Sequence, residues 1–297
     1  LDGAFEACEA RLIQHWRALW RTGNDLAKTI MENREVLEAT KTFTAGNEET
    51  SPLARLTAEV KGQLERLGYG TFSADTASFD VALDGRRVNL RGFKIERGSN
   101  NVAANGTYEL PADLKSFGQA PVDARFTIAA PAVKEFGIGA RGAVLEGTIK
   151  GSGSVRLVSG KLDGDVSIEG SEFLFGAFTA DRLLIKAAAK QGEVEIEDFV
   201  LQINEQDRIA LAGKVEMSKP NEYEGAVLVR VQDLSKFQPL LEILGQQKAI
   251  SGDIHLELNS KGTIETMRHE GTVSLNSSGV TFGETQISAI RLEGRFT

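Results

Sequence analysis

Apolar positions recur along this chain with two different periods. Over residues 1 to about 68 the spacing is helical: Phe5, Leu12, Trp16, Leu19 and Trp20, then Leu26, Ile30 and Leu37 after Gly23-Asn24. Positions three and four apart share one face of a helix, so this stretch predicts two helices. A third is predicted after Ser51-Pro52, with Ser as the cap, Pro as a tolerated first residue, and Leu53, Leu56, Val60, Leu64 and Leu67 on one stripe before Gly68. The polar segment Thr44 to Thr50 is the expected connector.

From Tyr69 onward the period is two. Phe79, Val81 and Leu83, then Val194 and Ile196, then Val227, Val229 and Val231, then Ile254, Leu256 and Leu258 alternate with polar residues, as half-buried strands do. Turn chemistry punctuates the pattern at Asp84-Gly85, Asp163-Gly164, Gln191-Gly192, Lys261-Gly262 and Ser278-Gly279, which predicts hairpins and mostly antiparallel neighbours. Only Ala132 to Phe136 and Leu234 to Leu244 read as helical in this part, and Pro239 predicts a break or a late start in the second.

The β region also repeats. Phe93 matches Phe199 at an offset of 106, Gly106 matches Gly213 at 107, Gly147 matches Gly252 at 105, and Phe175-Gly176 matches Phe282-Gly283 at 107. The slips in offset fall at Pro111 to Asp123 against Ser218 to Gly225, where loops are expected. Modules of about 107 residues exceed the 20 to 50 typical of solenoid coils, so each is a multi-strand unit, with copies at approximately 77–182 and 183–297. About fourteen strands are predicted, a sheet about 65 Å across at roughly 4.8 Å per strand. Open sheets rarely pass about ten strands without curling or splitting into layers.

Each strand offers one apolar face, worth roughly 25 cal/mol per Å² when taken out of water. The helices of the β region are too short to cover it, and residues 1–68 can shield only part. Two solutions remain: a dry sandwich, or a trough holding apolar ligand. Aromatic residues make up only 7% of the chain, and the strands are filled by Val, Ile, Leu and Ala. That composition suits both, and taken alone favours the sandwich.

Charge and rare residues narrow the functional classes. With 34 Lys plus Arg against 42 Asp plus Glu the net charge is −8, and no basic patch stands out to support a nucleic-acid surface. One Cys and three His are scant material for a disulfide or a structural zinc site. No stretch approaches 18 apolar residues, and no signal-peptide pattern opens the chain. It begins at Leu1 and stops at Thr297 within a strand-like pattern, so we read it as a section of a longer protein, with any anchor outside it.

Chemistry motifs are few, and each has a plainer reading. Gly137, Gly139 and Gly142 spell GxGxxG, but a strand rather than a helix is predicted to follow, which argues against a dinucleotide site. Glu193, Glu195 and Glu197 read as a solvated strand face, and Asp163 and Asp165 as turn residues flanking Gly164. His255 and His269 lack further ligands nearby, and no nucleophile–base arrangement appears, so neither enzyme nor cofactor is expected. Trp16, Trp20 and Phe5, with Arg11, Arg17 and Arg21, fit either packing onto the sheet or an interfacial helix.

Segments 93–110 (FKIERGSNNVAANGTYEL), 151–170 (GSGSVRLVSGKLDGDVSIEG) and 250–283 resemble the AsmA-like superfamily, which includes TamB-type proteins of the Gram-negative envelope. The shared pattern is strand, Gly, strand, then a short helix opening near an Asp-Leu pair such as Asp233-Leu234. The resemblance covers about 70–297 and leaves 1–68 functionally open as a cap, insertion or partner contact. It implies a mainly β fold: a long, curled, half-open hydrophobic groove, periplasmic, anchored to the inner membrane by a segment outside this chain. It further implies passive conduction of phospholipid or another acyl lipid between membranes, or assistance to outer-membrane assembly proteins, with no catalytic residue. The expected groove lining is Val81, Leu83, Val155, Leu157, Val166, Ile168, Val194, Ile196, Val227, Val229, Leu256 and Leu258. The alternative is an assembly scaffold with a dry interior that binds clients by strand addition.

Overall fold

A computed structural model describes residues 57–111, 120–140, 142–158, 161–243, 245–246 and 248–297. The two helices expected before Thr50 fall outside these residues. The described chain is strand after strand: β1 (Thr57–Tyr69), β2 (Phe72–Asp84), β3 (Arg87–Arg97), β4 (Asn100–Glu109), β5 (Val122–Ala130), β6 (Gly139–Ala140), β7 (Ala143–Val158), β8 (Lys161–Phe175) and β9 (Phe178–Lys190). It continues through β10 (Glu193–Gln202), β11 (Arg208–Glu216), β12 (Glu222–Val231), β13 (Ile250–Gly252), β14 (Ile254–Thr263), β15 (Arg268–Ser277), β16 (Val280–Phe282), β17 (Thr285–Ile287) and β18 (Ile290–Phe296).

Fourteen of these strands form one open sheet in the order β1-β2-β3-β4-β5-β7-β8-β9-β10-β11-β12-β14-β15-β18, with β6 added to β7 and with β13, β16 and β17 in a small separate sheet. Every pairing is antiparallel, and each strand of the long path lies beside its predecessor along that path. The turns at Asp84-Gly85 and Gln191-Gly192 reverse the chain as expected, with φ of 57° at Gly85 and 55° and 92° at Gln191 and Gly192. Such positive φ values are what two-residue hairpins require.

Three expectations are corrected. The helix predicted up to Gly68 is instead β1, paired along its length with β2 from Thr57↔Asp84 to Tyr69↔Phe72, so the sheet starts before the 68/69 boundary. Its sequence supports both readings: Val60, Leu64 and Leu67 fit a helical stripe, but Ala58, Val60, Gly62 and Leu64 also alternate with Glu59, Lys61, Gln63 and Glu65. Tertiary pairing decides between them, and Arg66, at φ 55°, separates Leu64 from Leu67 so that both are half-buried. Asp163-Gly164 is not a turn but part of β8, where Gly164 pairs with Val155 and Ala189. Asp163 there accepts a hydrogen bond from the Gln191 N–H at 2.7 Å, and Asp165 one from the Ser154 hydroxyl. Lys261-Gly262 likewise lies inside β14, the reversal following at residues 264–267.

A Cβ at Gly164 would overlap the Ser154 carbonyl oxygen on β7, a backbone atom that cannot swing aside. Gly164→Ala is therefore expected to cost about 1–3 kcal/mol, read as a lower urea midpoint with an unchanged slope.

The helical segments are short, as expected. A 3₁₀ turn at Val133–Phe136 follows β5; after β12 a 3₁₀ turn at Leu234–Phe237 runs into α1 (Gln238–Ile243), with Pro239 near its start where a missing N–H is harmless. Asp233 caps the second turn, its carboxylate accepting from the Ser235 N–H at 2.9 Å. Both segments lie at the same margin of the sheet. Val133 and Phe136, 1% and 4% exposed, pack on Phe72, Ile95, Val102, Ile128, Leu145 and Ile149. Phe237 meets Phe178 with ring centroids 5.6 Å apart. Most of the buried apolar residues lie at this margin; elsewhere among the described residues only the small side chains of Ala77, Ala82 and Ala120 are buried.

Two buried polar residues fasten these segments. The Asn100 amide donates to the Ala132 carbonyl at 2.9 Å and accepts from the Ala132 N–H at 2.9 Å. Asp207, 107 residues later and 1% exposed, accepts from the Lys236 ammonium at 2.6 Å, the Gln232 N–H at 2.7 Å and the Asn204 amide at 2.8 Å.

Candidate functional site

Directly opposed residues of antiparallel strands point to the same side of a sheet, so the pairing register shows what each face carries. One row begins Leu64↔Ala77↔Ile95↔Val102↔Ile128 across β1 to β5. It crosses β7 to β9 as Gly151↔Ile168↔Ile185. It then continues as Phe199↔Leu211↔Val227↔Leu258↔Val273↔Gly294 to the far edge. The parallel row Phe79↔Phe93↔Ala104↔Phe126↔Gly153↔Val166↔Ala187↔Ile196 has the same character.

Bulges keep the face consistent. Leu90 and Phe93 in β3, and Ile196 and Phe199 in β10, lie three residues apart, and a register shift between each pair returns both to the same side. The chain has 76 charged residues, from 34 plus 42. Arg97, paired with Asn100 where β3 meets β4 at the margin of the 3₁₀ turns, is the one charged residue at a paired position on this face among the described residues; Tyr108, Tyr223, Ser260, His269 and Ser277 are polar members.

All twelve residues expected to line a groove fall on this one face, although they come from six different strands. Eleven are half-buried and Val155 is 39% exposed; none is buried. In a dry sandwich the inner face would be, so among the described residues no second layer is packed against it. At about 65 Å by roughly 20 Å, its footprint is about 1,300 Å². The largest apolar patch on an ordinary monomer is roughly 300–600 Å².

Phenylalanine rings lie flat over glycines on this face. A Cβ at Gly153 would come 2.5 Å from the Phe126 ring, and one at Gly271 2.8 Å from Phe296; Gly62 under Phe79 and Gly170 under Phe173 repeat the arrangement. Covering a strand glycine with a neighbouring aromatic restores packing that the missing side chain forfeits. It also keeps the ring from standing upright off the sheet.

At the margin away from the 3₁₀ turns the face ends in polar groups. The Tyr223 hydroxyl lies 2.8 Å from Ser260 Oγ and 2.9 Å from His269 Nδ1. His255, paired with Arg230 and Asn276, projects to the other side, so the two histidines cannot share a ligand. Glu193 and Glu195 also lie opposite the apolar face, and all three glutamates of that stretch are exposed.

The opposite face is charged in ordered rows. Glu195↔Lys214↔Glu224↔Lys261↔Glu270 alternates sign across β10, β11, β12, β14 and β15. Lys261 meets Glu270 at 2.9 Å, and that hydrogen bond first, then the charges of Glu270 and Glu224, raise its pKa. Glu169 bridges Lys150 at 3.0 Å and Arg182 at 2.9 Å, and the Lys150 hydrogen bond leads in holding its carboxyl below the usual range. Exposed pairs of this kind contribute little individually. A cleft of about 890 Å³ opens among these charges, lined by Lys214, Glu224, Lys261 and Glu270.

The glycines of the GxGxxG motif serve local geometry: Gly137 closes the 3₁₀ turn at φ 64°, Gly139 lies in β6, and Gly142 precedes strand β7. Among the described residues no group of three or more potential metal ligands occurs, and no helix is long and apolar enough to cross a membrane. Comparison with family models, curated proteins and solved structures gave no match.

Proposed function

We propose that the chain is a lipid-binding and lipid-conducting section of a periplasmic envelope protein of AsmA-like type, in which the long sheet curls into a half-open groove with the apolar face inside. The observation that carries this reading is the apolar face running across fourteen strands, charged only at Arg97 on its 3₁₀-turn margin and left half-exposed. Removing a surface of that footprint from water is worth on the order of tens of kcal/mol gross, so an apolar occupant is favoured. Acyl chains fit because the face offers many similar aliphatic contacts and no fixed charge away from Arg97 at its margin, which allows a tail to slide without a deep minimum. No residue performs chemistry in this scheme.

Curling is supported by the devices that bend sheets. Bulges recur in β3 and β10 at the same place in the row, and glycines interrupt β7, β8 and β14. A modular build of about 107 residues is supported by backbone geometry: φ is 59°, 63° and 60° at Gly70, Gly176 and Gly283, 55° and 56° at Arg66 and Glu172, and 121° and 112° at Gly147 and Gly252. The buried fasteners Asn100 and Asp207 keep the same spacing.

Native mass spectrometry of the purified chain, followed by solvent extraction, tests the reading. Stoichiometric phospholipid or other acyl lipid is the expected result. A protein that stays lipid-free after incubation with phospholipid vesicles would favour the dry scaffold instead.

A further inference from the structure

The two copies of the repeat diverge at one place on the apolar face. In the first, the last row before the margin away from the 3₁₀ turns reads Tyr108↔Val122↔Leu157↔Leu162 across β4, β5, β7 and β8. In the second, β11, β12, β14 and β15 give Val215↔Tyr223↔Gly262↔His269. The positions are equivalent. Val122 to Tyr223 is an offset of 101, which also relates the two 3₁₀ turns, and the offsets from Leu157 to Gly262 and from Leu162 to His269 are 105 and 107. One row inward, Val155 of the first copy becomes Ser260 in the second. On β5, β7 and β8 the first copy pairs its strands here with aliphatic side chains alone, so strand pairing does not demand the Tyr, Ser and His of the second.

Those three residues form a connected node. Gly262 carries no side chain, and Tyr223 and His269 meet across it with ring centroids 5.7 Å apart. The Tyr223 hydroxyl bonds His269 Nδ1 and Ser260 Oγ together. All three are half-buried, and β12, β14 and β15 each have a paired strand on both sides, so the node rises from the interior of the sheet and not from an edge. Hydroxyls both donate and accept, whereas a neutral imidazole donates at one nitrogen and accepts at the other. The order Ser260 to Tyr223 to His269 Nδ1 satisfies both bonds and leaves an N–H at Nε2, the tautomer that an anionic oxygen selects.

A lipid whose tails lie on this face has to bring its polar end to hydrogen-bonding groups. At the opposite margin Arg97 and Asn100 are engaged by Asp75, by Glu135 and by backbone carbonyls of the turn. Around the node no carboxylate occupies a paired position on the apolar face. Glu222 and Glu270, its neighbours in sequence, lie on the other face, Glu270 bonded to Lys261 at 2.9 Å. A phosphate oxygen therefore meets donors and no like charge there, whereas an ammonium would meet an imidazole that can only become cationic.

We propose that Tyr223, Ser260 and His269 seat the phosphate of a phospholipid whose tails lie on the apolar face, with His269 Nε2–H donating to a phosphate oxygen. This rests on the reading of that face as a lipid track, and it narrows the occupant from acyl lipids in general to those with a phosphate headgroup.

Competition tests it. The chain is incubated with vesicles containing equal amounts of phosphatidylcholine and of diacylglycerol with the same acyl chains, and bound lipid is read by native mass spectrometry. Phosphatidylcholine has no net charge, so the chain's own charge of −8 does not bias the ratio. The parent is expected to favour phosphatidylcholine at least about 10-fold, the effect of one hydrogen bond to a charged group. Tyr223→Val with His269→Leu installs the first copy's own residues, and it is expected to bring the ratio to about one with diacylglycerol occupancy unchanged. Tyr223→Phe keeps the ring and decides the matter if the double variant loses its sheet by circular dichroism; it is expected to lower the ratio about threefold or more. Excess inorganic phosphate, which has no tails, is expected to leave the parent's ratio as it is. No preference in the parent, or the same preference in a folded variant, would overturn the headgroup site and leave the lipid reading standing. Loss of the preference to inorganic phosphate would assign the node to the free anion instead. A parent that takes up neither lipid would remove both readings.

Discussion

A chain carrying both Val229→Asp and Leu256→Asp is expected to lose at least about 100-fold in acyl-lipid occupancy while keeping its sheet. The two positions are directly opposed on β12 and β14 on the apolar face. An acyl chain crossing them would strip water from two carboxylates that have no cationic neighbour on that face, at an effective cost of several kcal/mol per ion. A loss of about 2.7 kcal/mol already corresponds to a factor of 100. The cost to the fold is smaller, since both sites are half-exposed and opposed like charges cost roughly 0.2–1 kcal/mol. The matched control is Ala212→Asp with Ala226→Asp, directly opposed on β11 and β12 but on the charged face. Lipid retained by the first double variant, measured by native mass spectrometry, or lost equally by the control, would sink the assignment of the conducting face.

The second large effect is on stability. Asp207→Ala is expected to cost about 2–4 kcal/mol at neutral pH, because it leaves the Gln232 N–H and the Asn204 amide without the acceptor they share and frees Lys236 from its carboxylate. The lower part of the range is favoured by the 40% exposure of the Lys236 side chain, which water can resolvate. The pH dependence has a definite sign. Burial pushes the Asp207 carboxyl up, but the Lys236, Gln232 and Asn204 hydrogen bonds together with the Lys236 charge outweigh it, and the net position is below the ordinary value. A carboxyl depressed in the folded state contributes stability that is fully present above its unfolded pKa of roughly 3.9 and is lost as pH falls through the lower, folded value. Urea melts of the parent should weaken over that acid window, and those of Asp207→Ala should weaken less. Equal acid sensitivity in both would show that other carboxylates control it.

Alternation after Tyr69 was enough to read the strand-rich fold and the common side of the twelve residues, whereas the fourteen strands expected there are seventeen, thirteen of them on the long path, with β1 before them. A period of two assigns a side chain to a face without knowledge of its partner, and antiparallel pairing then preserves the assignment from strand to strand. Residues 57–68 were misread because their leucines satisfy two periods at once, and only the hydrogen-bonding partner β2 distinguishes them. Asp163-Gly164 and Lys261-Gly262 were misread because glycine serves close backbone approach as well as turns; at Gly262 a Cβ would overlap the Arg268 carbonyl oxygen. Asn100 and Asp207 were missed entirely, yet their spacing of 107 was available from the repeat. The flat-lying phenylalanines were legible only in part, since ring orientation depends on a glycine one strand away.

Each strand of the main sheet touches mainly its immediate predecessor and successor along the path, and most of these neighbours are joined by short hairpins. The molecule therefore behaves like a zipper more than a nucleus: loss of an end strand removes one interface and leaves the rest intact. Melting that proceeds strand by strand is the natural consequence, with no single event that unlatches the described sheet.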